Sequence, residues 1–403
     1  MKIYQKMGAG LCVALLLSSS ALAGNMVSDF MAGDASGSFR LRFENSDVDD
    51  GTKDSAKALT LRTRLLYQTK GMNGISGHIE MEDVRAVLSI DDYFDNGSIG
   101  NGKTGFDTIA DPEMTEVNEA YVKYSRDNLE VKAGKQRIVY DNMRFVGHVG
   151  WRQDDQTFDA LKGTYTSGDV ELSAAYIDQV NGILGDYHKI DKSDVLINAS
   201  YKAGTTGKLT GYVYQLDNKD ADAQLGTYGV RLKGKVEAGF PFSYTAEFAT
   251  QKSEKTTGDN DASYLLVEGG TVLASINASV GMEVLGSDDG TYGFSTDLAT
   301  KHAFNGWADV FLGTPAQGLQ DIYVKLASKV SAIKLLGVYH VFSADESTGS
   351  GATKVDDLGS ELDLLAVKKL DNGVLLGFKF AAYSSGDTGN DVNKFWLWSQ
   401  VSF

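Results

Sequence analysis

The stretch Ser38-Phe39-Arg40-Leu41-Arg42-Phe43-Glu44 alternates polar and apolar side chains with a period of two. Successive side chains of a β-strand point to opposite faces, so Phe39, Leu41 and Phe43 are expected on one face and the charged residues on the other. An amphipathic α-helix would instead show a period of about 3.6 residues. The stretch therefore predicts a strand with one apolar face and one charged face.

The same alternation recurs along the chain, for example with Leu59, Leu61 and Leu65 against Arg62 and Arg64. We count about eighteen such segments, each long enough to cross a bilayer as a tilted strand. They lie near residues 38–44, 59–68, 75–82, 117–125, 129–136, 156–166, 169–178, 194–203, 208–216, 226–235, 241–250, 262–268, 273–285, 319–327, 332–343, 358–368, 374–383 and 393–403. No stretch is apolar for the roughly 18 consecutive residues that a transmembrane helix requires.

Short connections alternate with longer polar ones along the chain. The short ones are 70–74, 126–128, 166–169, 203–208, 269–272, 328–331 and 369–373. The long ones are 45–56, 84–116, 137–155, 179–193, 251–261, 286–318, 344–357 and 384–392. Transmembrane barrels have short periplasmic turns and long extracellular loops, whereas a soluble sandwich has no reason to alternate in this way. We therefore predict an all-β fold, a transmembrane antiparallel β-barrel of about 18 strands. The apolar stretch near Trp307 is assigned to loop 286–318, because one more strand would break the parity.

The first 23 residues have the composition of a secretory signal peptide. Its features are Lys2 and Lys6, an apolar run over 7–17, and the small-residue site Ala21-Leu22-Ala23. We expect removal of residues 1–23, which leaves 24–403 as a single outer-membrane barrel domain. The only cysteine, Cys12, lies in this leader, so no disulfide is expected in the mature chain.

The last strand and the overall charge indicate the partners. The strand ends at Phe403, and an aromatic C-terminus on an alternating strand resembles the assembly signal of bacterial outer-membrane proteins. We expect the lipid bilayer of a Gram-negative outer membrane as the environment, and the outer-membrane assembly machinery as a partner through this strand. The 54 acidic residues exceed the 38 basic ones and no basic run stands out, which argues against nucleic acid as a partner.

If the apolar faces meet lipid, the charged faces line a water-filled lumen. The pore-lining candidates on the strands are Arg40, Arg42, Arg62, Arg64, Glu80, Glu82, Glu119, Lys123 and Arg231. Arginine makes bidentate contacts with carboxylates, so the basic patch would guide anionic solutes. Alternatively, the arginines and neighbouring acids form cross-strand ion pairs that only stiffen the wall. Both interpretations can hold together.

No catalytic constellation stands out, and we expect a protein that is not an enzyme and has no cofactor. The histidines are His78, His148, His188, His302 and His340, and their spacing is not that of metal ligands. The acidic loop stretches Asp47/Asp49/Asp50 and Asp288/Asp289 are candidate Ca²⁺ ligands, although such stretches are more often simply solvated.

Two motifs resemble the signature of the bacterial alginate-export porin family. The first is Gly134-Lys135-Gln136-Arg137-Ile138-Val139-Tyr140-Asp141-Asn142-Met143-Arg144-Phe145-Val146-Gly147, followed by Trp151-Arg152-Gln153 and Thr157-Phe158-Asp159. The second is Lys301-His302-Ala303-Phe304-Asn305-Gly306-Trp307-Ala308-Asp309, with Pro315 and Gly318-Leu319-Gln320-Asp321. The resemblance implies an eighteen-strand monomeric barrel whose basic lumen passes an anionic uronate polymer.

The loop that follows the strand near 129–136 is the candidate constriction. It carries Arg137, Tyr140, Arg144, Trp151 and Arg152, and if it folds inward the arginines would meet carboxylates while the aromatic rings stack on sugars. We predict an outer-membrane porin for passive passage of hydrophilic, anionic solutes. The alternatives are a dedicated uronate-polysaccharide exporter, a non-conducting surface or structural barrel, and a soluble periplasmic β-protein.

Overall fold

The computed structural model describes Ser28 and residues 32–96, 100–185, 188–237, 239, 241–255 and 258–403. The predicted signal peptide, residues 1–23, lies outside the described residues. Within the described part of the chain, no helix is long and apolar enough to cross a membrane.

Eighteen strands form one antiparallel sheet that closes on itself, because β1 pairs with both β2 and β20. They are β1 (Asp34–Val48), β2 (Ala56–Gln68), β3 (Ile75–Asp92), β4 (Met114–Arg126), β5 (Leu129–Gln136), β6 (Thr157–Ser167), β7 (Val170–Asn181), β8 (Lys189–Lys202), β9 (Lys208–Asn218), β10 (Ala223–Val236), β11 (Phe242–Lys255), β12 (Gly258–Leu273), β13 (Ile276–Leu285), β16 (Leu319–Val330), β17 (Ile333–Thr348), β18 (Val355–Lys369), β19 (Leu375–Ser384) and β20 (Val392–Ser402). The short strands β14 (Ser287–Asp288) and β15 (Tyr292–Gly293) pair within the connection between β13 and β16. A closed sheet leaves no unpaired edge in lipid, and the predicted eighteen-strand barrel is confirmed.

Burial alternates along the strands as the sequence pattern predicts. In β1, Arg40, Arg42 and Glu44 are buried, whereas Phe39 and Leu41 are exposed. The exposed apolar side chains form the outer face that meets lipid, and the buried polar ones point into the lumen. The charged residues of different strands therefore meet inside the barrel.

The turn between β12 and β13 lies at Ala274 and Ser275, so the turn predicted at 269–272 is wrong. Both residues have positive φ, +47° and +71°, as a two-residue type I′ hairpin requires. Gly270 stays within β12, where a Cβ would lie 2.9 Å from Ser243 Oγ. Glycine at this position allows close packing of neighbouring strands and does not reverse the chain.

The long loop predicted at 251–261 is also wrong. Strand β11 continues to Lys255 and β12 begins at Gly258, with Gln251 opposite Ala262 in the ladder. A further connection between β9 and β10, from Asn218 to Ala223, was not predicted as a loop. Polar residues on the lumen face of a strand have the same composition as a loop, so polarity alone misplaced these boundaries.

Two long connections enter the barrel. Loop A is residues 137–156, between β5 and β6, and loop B is residues 286–318, between β13 and β16, which includes Trp307 as predicted. Both loops share one large apolar cluster with inward strand residues. Its members include Tyr140, Val146, Phe294, Leu298, Ala308, Tyr212, Tyr264, Phe342 and Trp396. The apolar core of this protein therefore lies in the lumen, where the two loops pack against the wall.

Candidate functional site

Loops A and B meet inside the barrel through backbone hydrogen bonds. The Gly147 N–H donates to the Leu298 carbonyl at 2.8 Å, and the Thr300 N–H donates to the Met143 carbonyl at 3.0 Å. A Cβ on Gly147 would lie 2.2 Å from Thr300 Oγ1, so only glycine permits this approach. We call the two loops, together with the inward side chains that they contact, the constriction.

Arg152 and Arg42 fix loop A to the wall and to loop B. Arg152 Nη1 donates to Glu44 Oε1 of β1 at 2.9 Å, and its Nη2 donates to Asp309 Oδ2 of loop B at 3.1 Å. Arg42 of β1 donates to the Trp151 carbonyl of loop A, and it forms an ion pair with Asp111, which lies in the connection between β3 and β4. All of these side chains are buried. Both guanidinium groups are therefore neutralised by carboxylates of the protein.

Arg40 and Arg62 face each other across β1 and β2 and have only neutral acceptors. Arg40 Nε donates to Gln153 Oε1 at 2.8 Å, and its Nη2 donates to the Arg152 carbonyl. Arg62 Nη1 donates to the Gln153 carbonyl at 3.3 Å. Among the described residues, no carboxylate lies within 4.0 Å of either guanidinium. Their positive charge has no neutralising contact.

Asp155 of loop A bridges two further arginines. Its oxygens lie 3.0 Å from Arg64 Nη2 and 2.5 Å from Arg137 Nε. The strand carboxylates that complete this network are Glu82 with Arg64, and Glu80 and Glu119 with Arg137. Burial alone would raise the pKa of the Asp155 carboxyl, but the Arg64 and Arg137 guanidiniums hold it well below its usual range. Asp155 therefore stays ionised and fixes both arginines.

Asp154, the preceding residue, has the opposite environment. Burial, reinforced by the Glu82, Glu116 and Asp155 carboxylates, raises the pKa of Asp154 well above its usual range. Two adjacent carboxyl groups of loop A therefore favour different protonation states.

Arg144 and Tyr140 anchor loop A on its other side. Arg144 Nε donates to Glu283 Oε1 of β13 at 2.8 Å, and Nη2 donates to Asn305 Oδ1 of loop B at 2.8 Å. The Tyr140 hydroxyl lies 3.0 Å from Ser173 Oγ of β7. Arg144 and Glu283 are both buried, so this pair attaches loop A to β13 and does not face an open lumen.

Trp151 stands in a cluster of aromatic and cationic groups shared by loops A and B and β19. Its ring stacks on His302 at 4.9 Å between centroids, and Lys379 Nζ lies 4.1 Å from its centroid. Lys379 Nζ also lies 3.8 Å from the Trp307 centroid and 2.6 Å from His302 Nε2. Burial lowers the pKa of His302 to about 3; Asp309 opposes this shift and Lys379 adds to it. The ring is therefore neutral near pH 7 and can accept a hydrogen bond from the Lys379 ammonium.

Two of the predicted pore-lining residues lie away from the constriction. Arg231 of β10 is buried and forms an ion pair with Glu247 of β11. Lys123 lies near the end of β4, opposite Lys132 of β5, and its side chain has no ion pair or hydrogen bond with any described residue. The structure thus brings most of the predicted residues together but not these two.

Sequence reasoning missed the groups that pair with the arginines. They are Glu44, Asp111, Gln153, Asp155, Glu283 and Asp309. The alternation of β1 placed Glu44 on the charged face with Arg40 and Arg42, although not as a partner of Arg152, and the alternation of β13 would have identified Glu283 as inward-facing. The loop residues follow no period, so the sequence gives no signal for which carboxylate meets which arginine.

Among the described residues, no group of three or more His, Cys, Asp and Glu side chains is arranged to hold a metal ion. Asp50 Oδ1 accepts hydrogen bonds from the Thr52 and Lys53 backbone N–H groups at 2.7 and 2.9 Å. Asp288 Oδ2 accepts one from the Asp261 N–H at 3.0 Å. These oxygens satisfy backbone donors, and Ca²⁺ at these loops stays a prediction.

The profile of a family described as alginate export matches residues 34–284, more than half of the chain. A search of the curated proteins gave no match. Among solved structures, OccK3 (OpdO) of Pseudomonas aeruginosa has a TM-score of 0.70 at 12% identity, covering 94% of this chain and 98% of that chain. OccK9 (OpdG) of the same organism has a TM-score of 0.71 at 13% identity, covering 93% and 99%. OccAB4 of Acinetobacter baumannii has a TM-score of 0.69 at 12% identity, covering 92% and 97%. At these identities the structural likeness concerns the fold.

The eighteen-strand barrel and the family match agree with the predicted location in the outer membrane and with the predicted class of protein, a porin. The protein lies in the outer membrane of a Gram-negative bacterium as a multi-pass β-barrel of the porin type. The resemblance to this family is confirmed by the match over residues 34–284, which includes the motif of loop A: the chain belongs to the alginate export family.

Proposed function

We propose that this porin passes hydrophilic anionic solutes passively, and that the positive charge of Arg40 on β1 and Arg62 on β2 favours anions in the lumen. The observation that carries the proposal is the Arg40–Arg62 pair. Both side chains are buried where loop A meets the wall, and their acceptors are an amide and backbone carbonyls. In a low-dielectric lumen, charge that is not neutralised by contact attracts anions and repels cations.

Among anionic solutes, uronate oligomers and polymers are the more specific candidates, because the family is described as alginate export. The contact between loops A and B favours short oligomers as the solute in the observed state, since a polymer would have to displace the loops. Passive passage requires no covalent chemistry, so the proposal includes no enzymatic activity. We also propose that β20, which ends beside the exposed Phe403, is the strand recognised by the outer-membrane assembly machinery.

Planar bilayers with asymmetric KCl test the selectivity. The purified barrel is expected to give a reversal potential whose sign indicates a preference for anions. R40Q/R62Q is expected to reduce that preference several-fold. R85Q/K252Q is the matched control, because it also removes two positive charges and both side chains are about half exposed and pair with Asp83 and Glu254 outside the constriction. Cation selectivity of the unaltered barrel would refute the proposal, as would equal changes in R40Q/R62Q and R85Q/K252Q.

A further inference from the structure

A glycine on β17 leaves a groove in the outer, lipid-facing wall of the barrel. The register partners of Gly337 are Leu326 of β16 and Leu364 of β18, and both leucines are exposed on the outer face. The groove has a volume of about 380 Å³, and Leu335 and Phe378 also line it. A Cβ on Gly337 would lie 3.5 Å from Leu364 Cδ2, an ordinary contact, so a larger side chain would fit into this groove.

Lys368 lies on the same outer face of β18, nearer the periplasmic end. Alternation places it on the face of the exposed Leu364, opposite the buried Asp363. Its register partners, Ile333 of β17 and Leu376 of β19, are exposed apolar residues. Four residues separate Lys368 from Leu364, which is roughly 13 Å along a strand. The ammonium group therefore stands where the lipid-facing wall meets the periplasmic headgroups.

A lysine is unusual at this level of the outer face. The outward residues near the periplasmic ends of other strands are apolar or aromatic, for example Val170, Tyr201, Leu209, Phe242 and Leu273. Arg126 of β4 is the other outward cation at this end of the described strands, and it lies 3.8 Å from Asp127. Lys368 has no ion pair or side-chain hydrogen bond with any described residue. Its charge is therefore available to a partner outside the chain.

Three further lysines surround Lys368. Lys329 of β16 and Lys334 of β17 are register partners, and Lys369 follows Lys368 in β18. All four are exposed and lie within two residues of the periplasmic end of their strand. None has an ion pair with a described residue, and the adjoining turn contributes one carboxylate, Asp371. We call these four lysines the rim cluster, and it keeps an excess of positive charge.

The groove and the rim cluster together match the two parts of an anionic phospholipid. Both lie in the half of the barrel that carries the short turns, so they face the periplasmic leaflet, which consists of phospholipids. An acyl chain fills an apolar groove by van der Waals contact. Basic clusters at a membrane surface attract anionic headgroups, and lysines near the ends of membrane-spanning segments extend toward them. A water-soluble anion would use the lysines alone, because the groove faces hydrocarbon.

We propose that the groove at Gly337 and the rim cluster form a binding site for an anionic phospholipid of the periplasmic leaflet. One acyl chain lies against Leu326, Gly337 and Leu364. The phosphate group contacts Lys368, and Lys329 and Lys334 add to the attraction from the neighbouring strand ends. The site lies on the outer wall, so it is separate from the solute path through the lumen.

Native mass spectrometry of the purified barrel in detergent micelles tests the site. Phosphatidylglycerol and phosphatidylcholine with the same acyl chains are titrated separately, and glycerol 3-phosphate is the probe that carries the phosphate without the chains. Phosphatidylglycerol is expected to bind at a concentration about tenfold lower than phosphatidylcholine, because its headgroup has a net negative charge. Glycerol 3-phosphate is expected to give no bound species over the same range.

Variants test the lysines and the groove separately. K329Q/K334Q/K368Q is expected to weaken the binding of phosphatidylglycerol about tenfold and to leave phosphatidylcholine unchanged. The matched control is R126Q/K202Q/K235Q, which removes three positive charges at the periplasmic ends of β4, β8 and β10 and should leave both affinities unchanged.

Gly337→Phe fills the groove and is expected to weaken the binding of both lipids several-fold. Gly163→Phe makes the same change on the outer face of β6, where a Cβ meets no atom within 4 Å, and should have no effect on either lipid.

Each part of the proposal can fail by itself. Equal affinities for the two lipids, or equal losses in the two triple variants, overturn the role of the rim cluster. Equal affinities in Gly337→Phe and Gly163→Phe overturn the role of the groove, and binding of glycerol 3-phosphate as strong as that of the lipid overturns the assignment to a phospholipid. If a triple variant fails to fold, Lys368→Gln is compared with Arg126→Gln, and a several-fold loss in Lys368→Gln alone is expected. Reversal potentials test the proposed anion preference independently of all these outcomes.

Discussion

The constriction and the lysine arc, which we define as the register partners Lys123 of β4, Lys132 of β5 and Lys162 of β6, both place cations in the lumen, but the two groups of cations differ in burial and in their partners. Arg144 is buried and held by Glu283 and Asn305, whereas Lys123 has no partner among the described residues and keeps contact with water. A buried charge requires a partner because its desolvation penalty is several kcal/mol, whereas a hydrated charge does not. The difference indicates that most arginines hold the loops in place, whereas the lysines stay in contact with water.

The largest expected effect comes from breaking a buried pair in the constriction. Arg144→Ala leaves the Glu283 carboxylate buried without its cation, which should destabilise the docking of loop A by about 3–5 kcal/mol. Hydrogen exchange of residues 139–147 should accelerate accordingly, and single-channel conductance should rise.

The matched control replaces both partners. Arg144→Met together with Glu283→Leu removes the unpaired charge and should recover most of the lost stability, because apolar side chains of similar volume often replace a buried ion pair at little cost. Equal exchange rates in the single and double variants would contradict the role assigned to desolvation.

A change of pH is expected to have an intermediate effect on the stability of loop docking, through the protonation of His302 in loop B. A histidine in the undocked loop titrates near pH 6.5, about the ordinary value, whereas burial holds the pKa of the docked ring at about 3. The undocked loop therefore binds the proton first, so docking is most stable above pH 6.5 and weakens as the pH falls toward 3. Asp309, Lys379 and Arg152 face this ring. The pKa of Asp309 is held below its usual range, so the stabilisation of docking by the Asp309 carboxylate is lost only at lower pH.

Tryptophan fluorescence can follow this transition. The four tryptophans, Trp151, Trp307, Trp396 and Trp398, all lie in or beside the cluster around His302. The emission should change between pH 6.5 and 4 in parallel with an increase in conductance, and His302→Gln should abolish the change in this window. A change that persists in His302→Gln would assign the transition to another group.

The smallest effect on stability is expected in the lysine arc. Lys123→Gln removes a charge without a partner from a hydrated wall, so the free energy of unfolding should stay within about 0.5 kcal/mol of the unaltered protein. Urea unfolding in detergent micelles measures this difference. A loss as large as that of Arg144→Ala would remove the distinction between the two regions.

The sequence predicted the strands because lipid and water impose the period-two pattern on every strand of a membrane barrel. The prediction was wrong at Gly269–Gly270, where a turn was expected, and at 251–261, where a loop was expected. In both places the choice depends on packing between neighbouring strands, such as the approach of Gly270 to Ser243. Local composition carries no information about that approach.

The candidate site was predicted in part. Arg40, Arg42, Arg62 and Arg64 were identified as inward-facing by their alternation with apolar residues, and the motifs of loops A and B indicated the family. The lysine arc was not identified as a group, because it joins residues of different strands and depends on the register that pairs Lys123 with Lys132.

By itself, the sequence determined that this chain forms a barrel with an apolar outside and a charged inside, since hydrocarbon and water sort the side chains of each strand independently of its neighbours. Only the tertiary structure decided which charges neutralise one another. That outcome depends on contacts between residues as far apart as Arg144 and Glu283, and the strength of an ionic contact falls with distance and with access to water.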